Sequence, residues 1–358
     1  MASAWTDDDH ATRDDLAACR ALLREGSKTF HAASIVLPGR VREPAIALYA
    51  FCRLADDAVD VAGGGHEALE HLRHRLDLAC AGRPLPEPAD RALADVLRRF
   101  GIPRELPAAL LDGFDWDARG RRYETLDDLL DYCARVAGTV GAMMALLMGR
   151  READVLARAC DLGVAMQLTN VARDVGEDAR LGRIYLPLAW LRAEGIDPDA
   201  WLARPVFDAA LPRVVRRVLD YADELYLRAT AGLERLPADC RPGMWAARLM
   251  YAEIGREVER RGYDSVNARA IVSGPRKLRL LAEAVAAAAR GAADVRGPAP
   301  DLPAVRFLVE AAVRAGAHRR PGDDDGFAAR ARRVLDLIER LERLERIERE
   351  PRAPAAGG

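Results

Sequence analysis

Apolar residues recur at helical spacing through almost the whole chain, and strand-like alternation is nearly absent. Ala, Leu, Arg and Glu dominate, aromatic residues make up only 6%, and Gly and Pro punctuate the helical runs. With 358 residues, half of them hydrophobic, the chain can bury a large core. This pattern predicts an all-α fold.

Two stretches put acids on such helices. In QLTNVARDVGEDARLGRIYLP (167–187), Asn170, Asp174 and Asp178 fall at i, i+4 and i+8. Each step of four drifts by only about 40°, so on one helix the three share a stripe roughly 12 Å long. Gln167 lies one turn earlier, amid Leu162, Val164, Met166, Leu168 and Val171. Carboxylates on an apolar helix are expensive to bury without counter-charge. Arg173, Arg180 and Arg183 are near, so the bland reading is a solvated face of mixed charge. A second stretch, YAFCRLADDAVD (49–60), repeats the pattern, with Asp56 and Asp60 at i, i+4, Asp57 turned slightly away, and Tyr49 and Arg53 preceding them. Two such stripes predict facing helices with carboxylates across a gap. Carboxylate and amide oxygens suit Mg²⁺, which keeps room for phosphate oxygens. A diphosphate held between the helices follows as the expectation.

These motifs, DDAVD at 56–60 and NVARDVGED at 170–178, resemble those of the squalene/phytoene synthase family. SKTFHAASIVLP (27–38), YCARVAGTVG (132–141), GRIYLP (182–187) and MYAEIGREVERRGYDSVNARAIVSGPRKL (250–278) follow in the same order. The resemblance covers roughly residues 20–285 and is strongest to bacterial phytoene synthases. It implies a single isoprenoid-synthase-type helical bundle around a central cavity. It implies Mg²⁺, or Mn²⁺ in its place, held by Asp56 and Asp60 on one wall and Asn170, Asp174 and Asp178 on the other. Arg53, Arg173, Arg183 and Tyr251 would contact diphosphate oxygens; Tyr49, Tyr132 and Gln167 would line the reacting centre. Tyr185, beside Arg183, and Ser27, either a helix cap or a phosphate contact, complete the expected substrate-binding set. The helix bearing Tyr132 would line a prenyl tunnel; Ala134 stands where many members carry an aromatic residue.

The implied reaction joins two molecules of geranylgeranyl diphosphate through a cyclopropyl diphosphate to phytoene, with no NADPH. The competing readings are a squalene or presqualene diphosphate synthase on farnesyl diphosphate, and an inactive helical relative serving as a scaffold. Squalene chemistry ends in hydride transfer and requires NADPH, for which no dinucleotide fingerprint is visible.

The remaining features narrow the class. The net charge of −2 carries no nucleic-acid signature. Six scattered cysteines without CxxC spacing indicate neither zinc nor disulfides, and a reducing cytosol is the default. The glycines at 63–65 lack the context of a phosphate loop. His71 and His74, at i, i+3, read as a solvated face rather than metal ligands. The acidic N-terminus does not read as a signal peptide. The longest uncharged apolar stretch, 136–149, has 14 residues, short of the ~20 a span needs. A cytoplasmic protein is therefore expected, with weak peripheral membrane contact because a C40 hydrocarbon must leave into a bilayer. Residues 1–290 form the expected synthase domain. Residues 291–358 are expected to be a Gly/Pro-rich linker, a short amphipathic helix with its apolar stripe from Leu335 to Ile347, and a disordered tail.

Overall fold

The computed structural model describes residues 10–26, 37–60, 65–290 and 301–316, with the side chains at 56, 58–60, 65 and 66 outside the description. Ser27, the glycines at 63 and 64, and the C-terminal amphipathic stretch lie outside the described residues. Among the described residues every regular element is a helix. The order is α1 (Arg13–Gly26), α2 (Gly39–Asp60), α3 (Gly65–Cys80), α4 (Pro88–Phe100) and α5 (Glu105–Ala118), then α6 (Leu126–Cys133), a π-turn (Ala134–Gly138) and α7 (Thr139–Leu147). There follow α8 (Ala153–Arg173), α9 (Val175–Arg180), the short α10 (Leu188–Ala193) and α11 (Pro198–Ala203), α12 (Leu211–Leu233), α13 (Arg241–Arg260) and α14 (Gly274–Arg290). A 3₁₀ turn (Pro303–Val305) leads into α15 (Arg306–Gly316).

The bundle is organised around α8. Its residues are buried on every side, from Val155 and Leu156 through Val164 and Ala165 to Val171 and Ala172. A helix apolar all round belongs inside a core. It packs on α6, α7, α12, α13 and α15. Two glycines let the α7 side come close: a Cβ on Gly141 would lie 2.1 Å from the carbonyl oxygen of Ala159, and one on Gly163 2.2 Å from that of Ala137. The backbones are thus in contact, and any larger side chain would force them apart. The acid-bearing α2 packs instead on α1, α3, α4, α5 and α7, so α7 is a neighbour common to both acid-bearing helices.

Two helices depart from regular form, and one expectation about the domain changes. The helical run bearing Tyr132 contains the π-turn, where Thr139 Oγ1 donates to the Arg135 carbonyl at 2.6 Å. Leu126–Leu147 is as a whole long and apolar enough to cross a membrane, but 67% of its most apolar stretch is buried within the protein, as a core helix should be. Pro44 lies inside α2 rather than in its first turn, because Val41 and Arg42 already donate to the Pro38 carbonyl. The body does not stop at 290. Leu302, Val305, Leu308, Val309 and Ala312 are buried in the same core, so apolar burial carries the folded unit through 316.

Helix α1 is tied to α4 by an acid with two duties. Asp15 accepts from the Thr12 N–H and hydroxyl at 2.8 and 2.9 Å while its own N–H donates to Thr12 Oγ1, a reciprocal cap. It also accepts two bonds from the Arg91 guanidinium, at 2.9 and 2.5 Å. Arg91 first, and the Thr12 donors after it, hold the carboxyl down at about 2 against the opposing effect of burial. A depressed folded-state pKa stabilises above the unfolded value near 4 and is lost as pH falls through 2. Asp15→Asn should therefore lower the unfolding free energy at pH 7 by about 1–2 kcal/mol. In urea titrations the deficit should shrink between pH 4 and 2; a deficit independent of pH would contradict the charge argument.

Candidate active site

The acid stripe at the end of α8 is bent rather than straight. Gly176 N–H donates to the Ser265 carbonyl at 2.9 Å, outside the helix. The approach is so close that a Cβ on Gly176 would sit 2.2 Å from the Val266 carbonyl oxygen. Helix α8 therefore ends at Arg173, and Asp174 adopts φ −103°, ψ 12° before α9 begins. Bonds from Asp174 N–H to the Asn170 carbonyl (2.9 Å) and from Asp178 N–H to the Asp174 carbonyl (2.8 Å) keep the three acid-stripe residues on successive turns across the break.

Asp174 is held between two arginines. Arg173 donates to its two oxygens at 2.7 and 2.5 Å, and Arg269 at 2.8 and 3.2 Å. Arg269 also pairs with Glu177 at 3.4 Å. Tyr251 of α13 is close to this group: burial raises its phenol, Arg173 opposes the shift and Asp174 adds to it. Asp178 differs in kind. Burial first, then Asp174 and Glu177, push its carboxyl up to about 7, and Arg183 only partly offsets them. Asn170 Nδ2 donates to Gln167 Oε1 at 3.2 Å, while Asn170 Oδ1 is buried with no hydrogen-bond partner among the described residues.

A second cluster gathers on α5. Tyr132 and Tyr185 donate their hydroxyls to the two oxygens of Asp117, at 2.8 and 2.7 Å. With Tyr123 they form a nest of rings whose centroids lie 5.1 to 6.1 Å apart. Burial raises all three phenols, and Asp117 reinforces the shift. The Asp117 charge also contributes to the raised Asp178 carboxyl, which links the two clusters electrostatically.

The structure thus brings Gln167, Asn170, Arg173, Asp174, Asp178, Arg183 and Tyr251 together, and places Tyr132 and Tyr185 on one carboxylate. Among the described residues it does not close three His, Cys, Asp or Glu side chains around one point. Asp56 and Asp60 carry the other wall of the expected site, and their side chains lie outside the described residues. Arg53 pairs with Asp57 at 2.5 Å, and Tyr49 and Arg53 flank Gly26, where a Cβ would lie 2.5 Å from the Tyr49 hydroxyl. Arg276, at the start of α14, is bound to Glu253 at 2.8 Å and so ties α14 to α13. The donors at the end of α8 nonetheless fit a hard cation: all are oxygens, and buried Asn170 Oδ1 has an unused lone pair.

Two site residues escaped the sequence reading. Arg269 sits in a segment without periodicity. Asp117 had a signal: Leu106, Leu110, Gly113 and Asp117 step by helical spacing, and the first three are buried, so Asp117 continues the inward stripe of α5.

The squalene/phytoene synthase family matches residues 23–316. The chain belongs to that family. It is 54% identical to a phytoene synthase of Cereibacter sphaeroides over 322 residues, covering 85% of this chain and 90% of the relative. It is 52% identical to one from Rhodobacter capsulatus, covering 85% and 91%. Among solved structures, a dehydrosqualene synthase bound to a ligand superposes with a TM-score of 0.70 at 33% identity, covering 76% of this chain and 96% of that one. A squalene synthase from Alicyclobacillus acidocaldarius gives 0.65 at 29% identity, covering 70% and 95%. The match to 316 extends past the 285 expected from motifs, in agreement with the packing of α15. Members of this family use prenyl diphosphates and generally depend on a divalent metal.

The double clamp on Asp174 has a measurable consequence. In metal-free protein, Asp174→Ala leaves Arg173 and Arg269 facing each other without their shared carboxylate. Urea unfolding in chelator should show a loss of about 1–2 kcal/mol, since Arg269 is half exposed and its share is screened. A gain in stability would mean that Asp174 behaves as an uncompensated buried acid.

Proposed function

We propose that the protein is a phytoene synthase that joins two molecules of geranylgeranyl diphosphate head to head, through a cyclopropyl diphosphate, and releases diphosphate. What carries the reading is its identity above one half, over 85% of the chain, to two proteins named phytoene synthase. The site chemistry supports it. Diphosphate leaves poorly unless its developing charge is met by preorganised donors. Arg173, Arg183, Arg269 and Tyr251 supply N–H and O–H donors around the end of α8. Asn170, Asp174 and Asp178, with Asp56 and Asp60 from α2, would hold Mg²⁺, which when bound supplies Lewis-acid neutralisation of the leaving group. The allylic cation left behind must be kept from water. The Tyr123, Tyr132 and Tyr185 rings offer it electron-rich faces in a dry setting.

Squalene chemistry shares the first condensation and parts from this reaction only at the last cation, where hydride replaces proton loss. One assay separates them. Purified protein with Mg²⁺ and geranylgeranyl diphosphate should yield phytoene without reductant, unchanged by NADPH. Excess chelator should abolish turnover, and added Mg²⁺ should restore it. A reaction that halts at the cyclopropyl diphosphate until NADPH is added, or one that prefers farnesyl diphosphate, would favour the squalene reading.

The C40 product is insoluble, and we place the protein at a bilayer surface for its release. Leu181, three residues past Asp178, and Ile271, two past Arg269, are 66% and 69% exposed and supply apolar contact beside the acid site. Protein bound to vesicles should come off in high salt or carbonate, and Leu181→Ser with Ile271→Ser should weaken binding severalfold. Retention after both washes would require a deeper anchor.

A further inference from the structure

The Asp117 carboxylate belongs to neither acid stripe, yet it organises the aromatic end of the site. It stands in the last turn of α5, where the helix dipole disfavours a negative charge. Its two oxygens each accept one phenolic hydrogen, from Tyr132 at 2.8 Å and Tyr185 at 2.7 Å. A phenol has a single hydrogen to donate and lone pairs with which to accept. Both tyrosine oxygens, their hydrogens committed to Asp117, are therefore left as acceptors. Burial keeps the two phenols protonated, so neither is a ready base on its own. The arrangement is a hydrogen-bonded relay with a carboxylate at its end.

We propose that Asp117 positions the tyrosine pair and is the terminal proton holder when the last carbocation loses its proton. This rests on the phytoene synthase reading. In the step, a C–H bond adjacent to the cationic carbon breaks, and its electron pair becomes the new C=C bond. The proton passes to the phenolic oxygen of Tyr132 or Tyr185, and that tyrosine's own hydroxyl proton passes to Asp117. One positive charge disappears from the hydrocarbon and one negative charge from the carboxylate, while the tyrosine ends neutral as it began. Asp117 then returns its proton to solvent or to the released diphosphate before the next turnover. Charge neutralisation inside an apolar site is favourable in its own right. Asp117 acts through the tyrosines and is a positioning residue rather than one that touches the substrate.

The test is Asp117→Asn, which keeps size but accepts one hydroxyl and donates to the other. The variant and the wild type are given labelled geranylgeranyl diphosphate and Mg²⁺, and the cyclopropyl diphosphate and phytoene are quantified separately. Closing the cyclopropane also expels a proton, which the diphosphate released in that first step takes, so formation of the cyclopropyl diphosphate should stay within about threefold of wild type while phytoene formation falls by about 100-fold. The missing carbon should appear as cyclopropyl diphosphate or as C40 alcohols from capture by water. A loss shared equally by both steps marks a merely structural role and overturns the proposal. So does an unchanged product ratio, which would make diphosphate the proton acceptor. If thermal unfolding shows that Asp117→Asn does not fold, the double variant Tyr132→Phe/Tyr185→Phe decides. It keeps the rings, removes both relay hydroxyls and, given the cyclopropyl diphosphate itself as substrate, should convert it to phytoene about 100-fold more slowly than wild type. Wild-type protein that makes no phytoene would remove the functional reading, and this proposal with it.

Discussion

The N–H of Gly176 donates to the carbonyl of Ser265 at 2.9 Å, and the acid site depends on that bond. It diverts a donor that a continuous helix would spend internally, and so it ends α8 at Arg173. The same contact brings the 264–272 segment against α9, where Arg180 donates to the Val266 carbonyl at 2.9 Å. Arg269 on that segment then reaches Asp174. The approach is possible only because position 176 has no Cβ. A glycine in mid-motif, unhelpful to a helix by propensity, is here what lets a loop supply the second arginine.

Beneath this lies a helix that could not exist at the surface. Helix α8 also buries Arg158 and Asp161, paired at 3.0 Å, with Arg228 adding a bond to Asp161 at 3.2 Å and Asp301 accepting from Arg158 at 3.2 Å. Paired buried charges contribute little net stability but are costly to leave half-made. This network ties α8 to α12 and to the segment leading into α15, so it helps to fix the register of the helix that presents Asn170, Asp174 and Asp178. Burial still pushes Asp161 up to about 6, so the pairing only partly repays the desolvation.

The sequence was legible where a single physical rule dominates. Periodicity exposed the all-α class, because apolar burial acts on every turn. The Asn170, Asp174, Asp178 stripe was legible because acids on an apolar helix violate burial unless something meets them. What escaped depends on distant partners. The break at Asp174 comes from Ser265 and Val266, about ninety residues on, and no local pattern announces it. Arg269 belongs to a loop whose position follows from that same contact. Asp117 was hidden among Asp112, Asp115 and other acids of α5. Its stripe marked it as inward-facing, but only the fold reveals that it faces two tyrosines. The π-turn at 134–138 likewise reflects packing against α8 rather than any propensity of ARVAG.

The two clusters divide the chemistry between them. At the end of α8 the groups are hard oxygens and guanidiniums, suited to an anion that departs. At α5 and α6 they are aromatic rings around one carboxylate, suited to a cation that remains. Opposite charges generated by one bond cleavage recombine unless each is stabilised where it forms. Asp178 stands at the junction. Its carboxyl responds to Asp174 and Glu177 on one side and to Asp117 on the other, with Arg183 as the opposing charge. A cation bound at the acid end would draw Asp178 toward its ionised form and relieve that repulsion. The resting protein therefore holds Asp178 in an electrostatically unfavourable setting, and both a cation at the acid end and a carbocation near the tyrosines would relax it.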